Sequence, residues 1–392
     1  MKVVIVSSDI ADTSLYEKSK LFLSNKLAGI DCEYVDNDAD AIFFASGGSE
    51  QTAIEVAAAD KPVVLLATNQ NNSYAAATEV LSYLISKKYS AKLFNLSSIK
   101  QTADLLNLKH SLDDVNVIAN SKYIHETVAN HNLINGKVAV IGNVSKWLVN
   151  SEVTVADLYS YFAIELLNIQ WNELPNFFHL APDYELYDNF PQCDISLLME
   201  TSKVYRLLKN VVANYNLQGI TVECFPMAMC DKVTACLPLS LLNASGCPAA
   251  CEGDITALVG MMYIKALTGI VPWQANLVEI DDNTALWAHC TAPLNLVNNI
   301  NVVTHFETNI GTAIQADIEN SYCTIFRFDK SLKHFFLCEA EVLASPKFDF
   351  ACRTQLQIKL PDDAANILRT NPLGNHHLIL PGKYADMILS VK

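Results

Sequence analysis

The sequence predicts an α/β protein in which two α/β units precede a mostly antiparallel sheet or barrel. Three observations carry this reading. Short β-rich runs alternate with helical stretches through the first third, a second series of the same kind opens at Lys137, and alternating runs with little helical periodicity take over from about Asn276. A length of 392 residues agrees, since a domain takes roughly 100 to 200.

In the first series, 2–7, 41–45, 62–67 and 91–96 read as strands and 74–87 as a helix. Such alternation means a parallel sheet covered by helices. The polar stretch 131–136 then separates this series from Lys137–Gly142, so the first domain is placed at 1–136 and the second at 137–280. Helices at 154–167 and 255–267 and a strand near 216–223 complete the second unit. The third unit, 281–392, contains alternating runs at 286–290, 311–316, 323–329, 335–343 and 354–360, a short helix or turn after Asp362, and a strand at 377–380.

Composition narrows the function classes. With 42 acidic against 27 basic residues the formal charge is −15, and no run of Lys and Arg could track a phosphate backbone, so nucleic acid is not expected as a partner. No segment offers the ~20 uninterrupted apolar residues of a membrane span. The first residues read as a strand and a polar turn, without the pattern of a signal peptide, and a cytoplasmic protein is expected. A surface lean in charge, at 18% charged residues overall, suggests burial between subunits. The eleven cysteines are odd in number and sit mostly in apolar strings, which predicts buried reduced thiols. Cys247 and Cys251 lack a second pair at zinc-finger spacing, so structural zinc is not expected.

Several segments could carry chemistry. Gly47-Gly48-Ser49-Glu50 follows a buried-looking strand, where a parallel sheet presents its ligand loops. Gly48 and Ser49 could hold a sugar hydroxyl or phosphate through backbone N–H groups, or Ser49 could simply cap a helix. No GxGxxG follows any expected strand, which disfavours a nicotinamide enzyme. Asn71-Asn72-Ser73 is explained by helix capping. Trp147 either stacks on a sugar ring or is a buried aromatic.

Cys251-Glu252-Gly253-Asp254 opens a helix that is apolar nearly all round, with Gly269 and Pro272 as stop signals. Capping explains Asp254. It leaves Glu252 unexplained, and an acid beside apolar structure is costly unless paired, protonated or metal-bound. His289 and the pair His376-His377 stand where a strand meets a turn, and the consecutive pair is suited to metal ligation. His110, His125, His131 and His179 have no partners at ligand spacing, while His305 and His334 are expected in strands.

Together these segments resemble the L-fucose isomerase family and its shorter relatives and, more distantly, L-arabinose isomerase. Glu252, Asp254, Leu267-Thr268-Gly269 and Ala275-Asn276 hold the places of the family's Glu-x-Asp, Leu-Thr-Gly and Ala-Asp, and Asn375-His376 that of its Asn-His motif. His305-Phe306-Glu307-Thr308, Leu286 to Cys290, Gly47 to Glu50, Asn72-Ser73 with Glu79, and Ser145 to Leu148 are similar more loosely. The resemblance implies two Rossmann-like α/β domains with a C-terminal antiparallel β-barrel, assembled as a homo-oligomer, typically a hexamer.

It also implies a metal-dependent aldose–ketose isomerase. A divalent ion, usually Mn2+ with Mg2+ or Co2+ as alternatives, would be held by Glu252, Asn276 and His376. Glu252 and Asp254 would be the catalytic acids, and His289, His377, Gly48, Ser49 and Trp147 would lie near the sugar. Position 276 departs from the family, because an amide oxygen can coordinate a hard cation but carries no charge and moves no proton. The alternative is therefore a sugar-binding or regulatory protein on the same scaffold, without turnover.

Overall fold

The computed structural model describes residues 1–9, 11–12, 14–57, 61–107 and 121–391; His110 lies outside them. The first five strands are β1 (Lys2–Val6), β2 (Glu33–Tyr34), β3 (Ala41–Phe44), β4 (Val63–Ala67) and β5 (Ala91–Asn95). They form one parallel sheet in the order β2-β1-β3-β4-β5. Burial of every residue of β3 and β4 explains their unbroken apolar sequences, since helices cover a parallel sheet on both faces.

After β6 (Ile124–Glu126) come β7 (Gly136–Ile141), β8 (Ile164–Ile169), β9 (Leu217–Val222) and β10 (Ala249–Cys251). These last four make a second parallel sheet, ordered β10-β9-β7-β8. Both sheets wind alike: the second strand flanks the first on one side and the third flanks it on the other. Each therefore has a reversal point, β1/β3 in one and β7/β9 in the other, where loops at the carboxyl ends part to leave a crevice.

The remaining strands are β11 (Trp273–Asp281), β12 (Thr284–His289), β13 (Asn298–Val303), β14 (Ala313–Asp317), β15 (Tyr322–Phe328), β16 (His334–Ala344), β17 (Thr354–Lys359) and β18 (His376–Pro381). A seven-stranded antiparallel sheet runs β15-β18-β11-β12-β17-β16-β6, and β15 also pairs with β16. β13 and β14 form a separate pair. The protein is thus a mixed α/β structure of several sheets, one of them large and antiparallel. Here β11 pairs with β12 and β18, and β6 reaches this sheet from the N-terminal span.

Among the described residues no helix is long and apolar enough to cross a membrane. His334 begins β16 as expected, but His305 lies beyond β13. The chain turns back there through Asn309 and Gly311, at φ +53° and +61°, and the Asn309 N–H donates to the His305 carbonyl at 2.9 Å.

Candidate active site

Residues at both reversal points face one cavity of about 970 Å3, with Ser8 and Gly48 from the first sheet and Glu223 and Glu252 from the second on its wall. Gly48 has φ +74°, and a Cβ there would stand 3.0 Å from the Ser8 hydroxyl. Ser49 does not face the cavity: it is buried and its hydroxyl donates to the Ser46 carbonyl at 2.7 Å, inside the turn.

Glu252 owes its position to an unusual turn between β10 and the helix Ile255–Thr268. Glu252 and Gly253 both adopt left-handed backbone, at φ +65° and +71°. Any Cβ at Gly253 would collide with the backbone of Asn143 and Val144. The turn is pinned from both sides, with the Ser145 N–H donating to the Glu252 carbonyl at 3.0 Å and the Gly253 N–H to that of Val222 at 3.1 Å. Trp147 sits at the cavity wall and its indole N–H donates to Glu252 Oε2 at 2.5 Å, so the aromatic expected at a sugar also fixes the carboxylate.

Glu252 Oε1 lies 3.6 Å from His376 Nε2 and 3.7 Å from His289 Nε2, too far for hydrogen bonds. Each imidazole is held from behind. Thr291 Oγ1 is 2.9 Å from His289 Nδ1, and Asp254 Oδ2 is 2.8 Å from His376 Nδ1. Since an ionised carboxylate only accepts, His376 Nδ1 is the donor and Nε2 is left facing Glu252, with no hydrogen-bond partner.

Charge follows from this packing. Burial alone would raise the Glu252 carboxyl, but His376 and His289 outweigh it and hold it well below the usual range. Burial would lower His376, yet Glu252 and Asp254 push it up to about 10. For His289, burial prevails and the net shift is downward.

Asp254 is fully buried, caps the helix by accepting from the Ala257 N–H at 2.7 Å, and stands behind His376. Asn276 lies on β11 in register with His376 on β18 and faces the cavity, where its Oδ1 accepts from Asn375 Nδ2 at 2.6 Å. His289 joins Glu252 and His376: donor atoms of the three lie within 4.8 Å of one another. His377 points to the other face of β18, fully buried with its ring 6.1 Å from those of Trp287 and Phe336, and burial pushes it down to about 3.

Glu50 and Glu307 are among the cavity acids that sequence reasoning did not single out. Glu50 is buried with Oε2 unpartnered, and burial, reinforced by Glu79, Glu252 and Glu307, pushes its carboxyl well above the usual range. Glu307 accepts a hydrogen bond from Asn72. Surrounding protein and Glu252 push it upward, and its exposure to solvent weakens that shift. The available signal was an acid within each quoted motif, Gly47 to Glu50 and His305 to Thr308.

Behind the site, buried Glu79 accepts from the backbone N–H groups of Asn150 and Asn375 at 2.7 and 2.8 Å and from the Ser151 hydroxyl at 3.1 Å. Ser151 in turn accepts from Arg327 at 2.8 Å, and Arg327 also donates to the His376 carbonyl. This network ties the helix Ser73–Ser86 to the start of β18.

No protein-family model matches the chain. The sequence is similar to sulfoquinovose isomerase from Priestia aryabhattai and from Priestia megaterium, at 29% identity over 128 residues in each case. That stretch is 31% of this chain and spans only 29% of the length of either relative.

Proposed function

We propose that the protein is a metal-dependent aldose–ketose isomerase of the L-fucose isomerase type, moving a proton between C1 and C2 of an open-chain sugar through an enediol. The observation that carries this reading is the convergence of buried His289 and His376 on Glu252, which stands on the wall of a cavity fed by both parallel sheets. The donor set fits a divalent cation. Two imidazoles and a carboxylate approach one another without bonding, and His376 Nε2 is buried and unpartnered. A bound Mn2+, Mg2+ or Co2+ would polarise the carbonyl and hydroxyl oxygens of the sugar.

The chain's own residues would do the rest. Glu252, ionised at neutral pH and steadied by Trp147, is placed to take a proton from carbon. Glu307 and Glu50, whose carboxyls are both shifted upward, are placed to return one. Asp254 keeps the His376 ring oriented. The basic groups on this cavity wall, Lys18, Lys146 and Arg353, share it with Asp9, Asp12, Glu223 and Asp349. An uncharged sugar suits that balance better.

A cytoplasmic homo-oligomer, a hexamer by the family resemblance, belongs to the same reading. Exposed Leu21, Ile99, Tyr159 and Tyr184 support subunit contacts. The seven-stranded sheet, with β15 returning to β16, is read as the family's barrel.

A second reading, a sugar-binding or regulatory protein without turnover, draws on Asn276, whose oxygen is engaged by Asn375. A panel of neutral aldoses and ketoses assayed with Mn2+, Mg2+ and Co2+, alongside Glu252→Gln, separates the two. Interconversion that Glu252→Gln abolishes supports the isomerase. Sugar binding that Glu252→Gln leaves intact, with no interconversion by wild type, supports the binder and overturns the first reading.

A further inference from the structure

Away from the Glu252 centre, tertiary structure gathers a second set of metal-binding side chains whose sequence spacing matches no zinc motif. Cys236 begins the helix Cys236–Ala244, Cys290 follows β12, Cys352 precedes β17, and His305 opens the turn after β13. All four are buried. Ligand atoms of Cys236, Cys290 and His305 lie within 4.8 Å of one another, and Cys352 packs in the same buried cluster as Cys236 and Cys290. Around a tetrahedral ion with Zn–S of about 2.3 Å and Zn–N of about 2.0 Å, ligand atoms stand roughly 3.5 to 3.8 Å apart, so small rotamer adjustments would place the set around one ion. The thiols are free, not disulfide-bonded. His305 carries the orienting contact of a metal-bound imidazole: Thr308 Oγ1 sits 3.1 Å from its Nδ1, and no hydrogen bond engages its Nε2 among the described residues.

We infer that Cys236, Cys290 and His305, with Cys352 completing the set, bind a zinc-class divalent cation in a closed structural site. Thiolate ligands select zinc over manganese or magnesium, so this site and the Glu252 centre would take different metals. Its placement gives it a purpose. Cys290 directly follows His289, and His305 begins the turn that carries Phe306 and Glu307 to the cavity wall. One ion would lock both to the helix beginning at Cys236.

The test uses the full chain produced with added zinc and purified without chelator. Elemental analysis is expected to find about one thiolate-bound zinc per chain, released from wild type by a mercurial thiol reagent. Cobalt exchanged into wild type should give a thiolate charge-transfer band and the intense visible bands of tetrahedral cobalt. Cys236→Ser and Cys290→Ser should lose the zinc and these bands, Cys352→Ser should weaken retention at least about tenfold, and His376→Ala should keep both. Wild type holding less than about 0.1 zinc per chain, with no thiolate–cobalt band, overturns the site, and those wild-type measurements stand even if a serine variant fails to fold. Zinc lost in His376→Ala but retained in Cys290→Ser would assign the ion to the Glu252 centre and overturn it equally. Full retention in Cys352→Ser would overturn the fourth ligand.

Discussion

Asp254 and His376, 122 residues apart in sequence, form a fully buried pair with Oδ2 2.8 Å from Nδ1. That contact joins the mouth of the helix Ile255–Thr268 to the first residue of β18 and turns a helix cap into the support of a candidate metal ligand. Asn at position 254 can still cap the helix, but it removes the charge behind the imidazole. Asp254→Asn should therefore fold normally and bind Mn2+ about ten- to a hundredfold more weakly, as read by calorimetric titration.

The three converging donors predict an order of effects. His289→Gln should weaken Mn2+ binding by about tenfold or more. Asn276→Asp should change it by less than about threefold, because position 276 is engaged with Asn375. A large gain in affinity for Asn276→Asp would return position 276 to the ligand set.

Cation binding should depend on pH with a definite sign. Without metal, His376 is held near 10 by Glu252 and Asp254, so at neutral pH an incoming cation must displace its proton, while Glu252 is already ionised. Apparent affinity should rise by up to about tenfold per pH unit from pH 6 to 9, with close to one proton released per ion. Titrations in buffers of different ionisation enthalpy measure that number. In the metal-free protein the raised His376 adds stability that is complete below the ordinary value of 6.5 and is lost as pH rises through about 10.

Glu79 supports the site from the N-terminal sheet's side through Asn150, Ser151 and Asn375. Glu79→Ala strands two backbone donors and removes the carboxylate nearest the Arg327–Ser151 link, and should cost about 3 kcal/mol in urea unfolding. Gln keeps one acceptor and should cost less.

Gly253→Ala tests the strained turn. Its Cβ has no room against the Asn143 backbone, and φ +71° adds strain of its own. A loss of at least about 2 kcal/mol is expected, together with weaker Mn2+ binding as Glu252 shifts. An unchanged unfolding midpoint would show that the turn relaxes freely.

Much of this protein was determined by its sequence alone. Alternating runs set the parallel sheets and the antiparallel one, Asp254 and Gly269 bracket their helix as capping chemistry requires, and an acid that capping left unexplained marked Glu252. These features are local, because periodicity and caps act within a few residues. Only the tertiary structure decided that His289 joins Glu252 and His376, that Asp254 stands behind His376, and that His377 turns into the core. It also decided that Cys236 and Cys290 meet His305. Each of those outcomes depends on strand order, on register across β11, β12 and β18, and on how a turn with positive φ aims one side chain. Such relationships are set by packing between distant segments, and no window of sequence contains them.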